Sequence, residues 1–173
     1  AEVPFGMPDV KSAFNLPPIS ITTADGAVIA FSGRIDRIDK LVLPDGKTYF
    51  MIVDNKMSSR DVKQNSIIAG LQLQLPLYIR AAQNGLNGYE AAGGLYQPVK
   101  DVLVDGDDAG KIIAQIDKDL QTSGIILDDK GIQDAMKPVK IARKSDTNDT
   151  ISAVTPEELQ SVLDCALDVV TGR

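Results

Sequence analysis

The stretch Thr48-Tyr49-Phe50-Met51-Ile52-Val53-Asp54-Asn55-Lys56 decides how the chain folds. From Thr48 to Val53 it is apolar on both faces. A strand of that kind lies at the centre of a sheet covered by helices. Charge appears only where the strand leaves the core, in Asp54-Asn55-Lys56. Upstream, Pro44-Asp45-Gly46-Lys47 is a hairpin turn. Before it, Ala27 to Arg34 reads as one strand. Ile29, Phe31, Gly33 and Ile35 fall on one face, and Ser32, Arg34 and Asp36 on the other. Ala24-Asp25-Gly26 signals a turn joining that strand to a shorter one, Ile19–Thr22. Residues 1–18 are rich in Pro and Gly and read as irregular or edge structure.

Downstream, Ile67, Ile68, Leu71, Leu75, Tyr78 and Ile79 make an apolar stripe that predicts a helix over 64–84. Pro76 predicts a kink or a break in it, and Gly85 to Gly88 its end. Ala91 to Val99 reads as another strand. Ile112, Ile113, Ile116 and Leu120 give an amphipathic helix. Residues 143–150 read as an exposed loop. Thr155-Pro156-Glu157-Glu158 is a capping box that opens a final helix with Leu159, Val162, Leu163, Ala166 and Val170 facing the core. These elements predict an α/β fold with a central mixed sheet flanked by helices. Residues 1–100 form its core, and 101–173 an acidic, mostly helical continuation of the same domain.

The 173 residues are 43% hydrophobic and 24% charged, as expected of a globular chain with its own core. There is no histidine and only one cysteine. Those counts exclude histidine triads, Cys–His pairs, His-ligated zinc and Cys₄ sites. A metal would have to be held by oxygens, which selects Mg²⁺, Mn²⁺ or Ca²⁺. No apolar run approaches 18 residues, so no membrane contact is expected. The N-terminus lacks a signal-peptide pattern, and a cytoplasmic location is the expectation. The net charge is −6, but residues 31–80 carry eight Lys/Arg against five Asp, so basic character gathers around the 48–56 stretch.

Asp54 and Lys56 are two apart on a strand and share a face. Asp36 ends a neighbouring strand, and hairpin pairing brings its carboxylate toward Asp54. Two adjacent carboxylates repel, which makes a divalent cation their natural third party. The Asn55 backbone carbonyl is a further oxygen ligand for it. A lysine beside such a cation suits metal-assisted hydrolysis of a phosphodiester. Asp-x-Lys by itself is common here, at 9–11, 45–47, 54–56, 61–63 and 128–130, but only 54–56 follows a buried apolar strand. An ordinary exposed strand end is the competing reading of that feature alone.

Three ordered motifs add a resemblance. Gly33-Arg-Ile-Asp-Arg-Ile-Asp39, then Ile52-Val-Asp-Asn-Lys56, then Gly70-Leu-Gln-Leu-Gln-Leu-Pro-Leu-Tyr78 resemble the RecB-like branch of the PD-(D/E)XK nucleases, and in particular the nuclease domains of AddB-type helicase–nuclease subunits. Glu2-Val-Pro-Phe-Gly6 and Gly94-Leu-Tyr-Gln-Pro98 are also similar. The resemblance is strong over about 1–100 and looser beyond. It implies a restriction-endonuclease-like core with a helical C-terminal elaboration. It implies a Mg²⁺-dependent (or Mn²⁺-dependent) DNA exonuclease working on double-strand ends beside an AddA-like helicase partner, with no ATP site in this chain. It also implies roles: Asp36 and Asp54 as metal ligands, Lys56 as the motif lysine, and Gln74 and Tyr78 as the Q-x-x-x-Y pair bordering the site. The pair is at i and i+4, on one helical face. Asn55 stands where the family usually has Tyr.

The family's four cluster-binding cysteines are absent, so an iron–sulfur cluster is not expected, and the chain reads as a nuclease core excised from between them. Cys165 reads as a core residue. Arg34, Arg37, Arg60 and Lys63 are candidate phosphate contacts or plain surface charge. Gly85–Gly88 lacks a P-loop lysine. The alternative function is a catalytically silent module, with the nuclease fold serving as a DNA path or a docking element.

Overall fold

The strand that carries Asp54, β6 (Thr48–Lys56), is buried from Tyr49 to Asp54 and is paired along both edges. The computed structural model describes residues 2–12, 14–23, 25–57, 72–99, 108–136 and 151–172. Around β6, a five-stranded mixed sheet runs in the order β5 (Arg37–Val42), β6, β7 (Glu90–Pro98), β8 (Ser123–Leu127), β9 (Ile151–Val154). Pairs β5–β6 and β7–β8 are antiparallel, whereas β6–β7 and β8–β9 are parallel. The antiparallel β5–β6 pair needs only the tight turn at Leu43–Lys47, closed by Leu43 N–H donating to Lys47 O at 2.9 Å. Gly46, at φ 85°, supplies the left-handed residue of that turn.

Parallel neighbours need a crossover, and helices lie in both. The β6–β7 link contains α1 (Gln74–Gly85), and the β8–β9 link contains α3 (Lys130–Ala135). Helix α2 (Ala109–Asp119) precedes β8, and α4 (Pro156–Thr171) follows β9 and packs on α1 and β8. The sheet is covered on both faces. On one, Leu75 and Ile79 of α1 press on Gly94 so closely that a Cβ there would lie 2.8 Å from Leu75. On the other, Ile132 and Ala135 of α3, with Met136, line a cavity of about 360 Å³ with Met51, Val53 and Leu95. This is the mixed, helix-flanked α/β architecture of a restriction-endonuclease-like fold.

Two small ribbons precede the sheet: β1 (Val3–Phe5) pairs with β4 (Gly33–Ile35), and β2 (Ile19–Thr22) with β3 (Val28–Phe31). The single strand expected over 27–34 is therefore two, broken at Ser32. Gly33 must lie under the Phe5 ring, where a Cβ would stand 2.8 Å from Cε1, and the chain changes partner to reach it.

The helix expected from residue 64 is described from Gln74 onward; Ile67, Ile68 and Leu71 fall outside the described residues, as does the loop expected at 143–150. Pro76 sits in the first turn of α1, where a missing N–H costs no intrahelical bond, so it marks a beginning and not a kink. The last third contributes β8 and β9 to the sheet besides its helices. The α4 capping box forms as expected, with Thr155 and Glu158 exchanging side-chain and backbone bonds. Cys165 is half-buried at the margin of the α4 stripe, not in the core. Ile113 and Leu120 are exposed, so the stripe expected on α2 is only partly covered.

Candidate active site

Asp36 stands at the bend between β4 and β5, where the chain passes from ribbon to sheet. The last register pair of β5 and β6 is Arg37 with Val53. One step further along, Asp36 comes opposite Asp54. The Asn55 N–H closes this end by donating to Asp36 Oδ2 at 2.8 Å. Alternation along β6 sends Phe50, Ile52, Asp54 and Lys56 to the α1 face. Asp54 is 2% exposed there, an unusual place for a carboxylate.

Its charge is met by Lys56, whose Nζ forms an ion pair with Asp54 Oδ2. Lys56 Nζ also donates to Gln74 Oε1 at 2.8 Å. The Gln74 amide turns its other end to Asp54 Oδ1, at 3.4 Å, and to the Tyr78 hydroxyl, at 2.9 Å. One glutamine thus joins acid, base and phenol. It can do so because it is the first residue of α1, and the helix starts with no side-chain cap beside the strand end. Tyr78, one turn on, packs edge-to-face on Phe5 with centroids 5.9 Å apart. Burial pushes the Tyr78 hydroxyl above the usual phenol range. The Gln74 bond opposes that rise, and the negative charges of Asp54, Asp36 and Glu2 add to it.

The metal-ligand and motif residues expected from the sequence, Asp36, Asp54, Asn55, Lys56, Gln74 and Tyr78, therefore meet at one end of the sheet. Arg34, exposed, pairs with Glu2 at 3.3 Å, and Arg37 with Asp39 at 3.0 Å. Arg60 and Lys63 fall outside the described residues. Tyr96 was missed: its ring lies 5.5 Å from Lys56 Nζ. The sequence signals for it are the family-like Gly94-Leu-Tyr-Gln-Pro98 segment that contains it and the Gly93-Gly94 pair, which permits the strand irregularity that turns Tyr96 inward.

Among the described residues, no three His, Cys, Asp or Glu side chains cluster. The oxygens that could hold a cation here are two carboxylates and a backbone carbonyl. Lys56 O accepts from Val99 N–H at 2.8 Å, on the β7 side. Carbonyls alternate edges along a strand, so Asn55 turns its own toward Asp36, past the end of the β5 pairing. Hard oxygen donors of this kind fit Mg²⁺ or Mn²⁺.

Sequence comparison agrees with this geometry. Residues 1–168 match the PD-(D/E)XK nuclease superfamily. An ATP-dependent helicase/deoxyribonuclease subunit of Symbiobacterium thermophilum is 34% identical over 146 residues, covering 78% of this chain and 12% of that protein. The corresponding subunit of Clostridium botulinum strain Hall is 33% identical over 168 residues, covering 84% and 14%. That of Moorella thermoacetica is 28% identical over 172 residues, covering 88% and 15%. The chain thus spans about one-seventh of the length of these relatives. With an acid–acid–lysine site on a helix-covered mixed sheet and a match over nearly its whole length, the chain belongs to the PD-(D/E)XK nuclease superfamily.

Proposed function

We propose that this chain is the metal-dependent DNA nuclease module of a helicase–nuclease. It would hydrolyse phosphodiester bonds as an exonuclease during the processing of double-strand ends. The observation that carries the reading is the convergence of Asp36, Asp54, Lys56 and Gln74 on one strand end. Asp36, Asp54 and the Asn55 carbonyl would hold Mg²⁺ or Mn²⁺. When bound, the cation supplies Lewis acidity toward a phosphodiester oxygen and an attacking water.

The remaining work belongs to the side chains. Asp54 is held by Gln74 and Lys56, so its carboxylate is oriented before any substrate arrives. Lys56 keeps positive charge at the strand end, where a phosphate gains charge in the transition state. Gln74 fixes the ammonium from the other side and ties it to Tyr78. The Tyr78 oxygen accepts from Gln74, which leaves its O–H to donate to a phosphate oxygen. The relatives are named as subunits of an ATP-dependent helicase/deoxyribonuclease. By that likeness the partner is an AddA-like helicase subunit that hydrolyses ATP.

The test is cleavage of linear single- and double-stranded DNA with Mg²⁺ or Mn²⁺. Asp54→Ala should lower the rate by about 100-fold or more. Metal-dependent cleavage that survives this substitution refutes the assignment. DNA binding without cleavage by the intact chain favours the silent module instead.

A further inference from the structure

We propose that Tyr96 is a positioning residue for the Lys56 ammonium, and that the bulge in β7 serves to bring its ring to the catalytic face. The proposal rests on the reading of Lys56 given above. Along β7, Ala91 lies beside Phe50 and so faces α1. Regular alternation from Ala91 would place residues 93, 95 and 97 on that face and turn Tyr96 away. The register instead slips by one between Phe50 and Met51, so that Met51 lies beside Gly93 and Asp54 beside Tyr96. Ala92 is the extra residue, and beyond it the even-numbered positions face α1.

Gly93 makes the slip possible. Its φ is 137°, and a Cβ there would run into the Ile125 carbonyl oxygen. Tyr96 then rises beside Asp54, 3% exposed, with Lys56 Nζ 5.5 Å from the ring centroid. An aromatic face attracts an ammonium, and most strongly when water is excluded. Lys56 is therefore held by a carboxylate, an amide and a ring. The carboxylate oxygen that Lys56 engages belongs to a proposed metal ligand, and a cation would compete for it. The ring makes no such exchange. It keeps a flexible four-carbon side chain at the strand end while Asp54 is engaged elsewhere.

The experiment uses the full chain with ¹³C-labelled lysine. The Lys56 ε-methylene signal, assigned by its loss in Lys56→Met, should lie upfield from the ring current of Tyr96. It should stay there in Tyr96→Phe and move to the ordinary lysine position in Tyr96→Leu. Lys40, whose Nζ lies 5.3 Å from the Tyr89 centroid, is the internal control and should not move. In cleavage assays Tyr96→Leu should lower kcat about 3- to 20-fold with KM unchanged, and Tyr96→Phe should stay within about twofold of wild type. An ordinary Lys56 shift in the wild-type chain overturns the proposal, and decides the matter even if Tyr96→Leu does not fold. Equal kcat for the Leu and Phe variants, with Lys56→Met inactive, overturns the proposal alone. Wild-type cleavage by Lys56→Met overturns the reading of the site and the proposal with it.

Discussion

Removing Lys56 should cost this protein more stability than neutralising Asp54, although the two form one ion pair. Asp54 is almost fully buried, while the Lys56 side chain keeps 19% of its exposure. In Lys56→Met the Asp54 carboxylate stays in the core and loses the ammonium that pairs with its Oδ2. The Gln74 amide, bonded to Oδ1 at 3.4 Å, carries no charge and does not replace it. Removing one partner of a buried ion pair costs about 3–5 kcal/mol, and the partial exposure of Lys56 places this case at the lower end, about 3 kcal/mol. For a chain of this size that is a fall in Tm of roughly 6–12 °C. In Asp54→Asn the ammonium keeps its bond to Gln74 and can lean toward water, so the loss is about 1–2 kcal/mol. Mg²⁺ should then separate the variants. At about 100 times its Kd a ligand adds roughly 2.7 kcal/mol, and the gain should be larger in Lys56→Met, where no lysine competes for Asp54. The assay is thermal unfolding by circular dichroism in EDTA and in Mg²⁺, at one protein concentration. Equal losses in the two variants, or equal stabilisation by Mg²⁺, would refute the reasoning.

Three further outcomes follow from the packing. The Tyr78 phenol is raised by burial, so the folded state keeps its proton after the unfolded chain has lost it. Its contribution is fully present below the ordinary phenol value of about 10 and is lost as pH rises through the raised native value. Urea titrations from pH 9 upward should show stability falling across that window, and less steeply in Tyr78→Phe; burial acts on Tyr49 in the same direction and leaves a residual slope. Gly93→Ala should lose about 3 kcal/mol in chemical denaturation, because φ 137° and the Ile125 carbonyl both oppose a Cβ. Thr155→Ala removes the α4 cap and should cost about 1 kcal/mol, read as a Tm lower by roughly 2–4 °C.

The sequence was most legible where periodicity and charge coincide. β6 declares itself by an apolar run that ends in Asp54-Asn55-Lys56, and the 44–47 turn fixes which residues of β5 lie opposite. That register alone brings Asp36 to Asp54. Gln74 and Tyr78 were legible because i, i+4 spacing holds whether the helix starts at 64 or at 74. The break at Ser32 was not legible, because it follows from a tertiary contact, Phe5 over Gly33. Nor was β8: Ser123-Gly-Ile-Ile-Leu127 is five residues long and buried throughout, and so short an apolar run has no period to distinguish it. The inward turn of Tyr96 was hidden for a related reason. A bulge changes the parity of every later residue, and nothing in the composition of 90–98 says where the extra residue falls.

That parity gives the site its organisation. Asp36, Asp54 and Tyr96 lie in one row across neighbouring strands, and Ser123 of β8 continues it beside Tyr96. Lys56 is the next inward-facing residue along β6, and Gln74 reaches down to both from α1. The row is set by three independent devices. The 44–47 turn sets Asp36 against Asp54, the Ala92 bulge sets Tyr96 against Asp54, and the antiparallel β7–β8 pairing sets Ser123. A one-residue slip at any one of them turns a side chain out of the row and leaves the others in place. Inserting one residue between Gly94 and Leu95 would accordingly turn Tyr96 to the α3 face while the contact of Asn55 with Asp36 and the pair of Asp54 with Lys56 persist. The proposed metal ligands would stay together, and the ammonium would lose its ring. The proposed cation site and the placement of Lys56 are thus separable in this fold, because they rest on different strand interfaces.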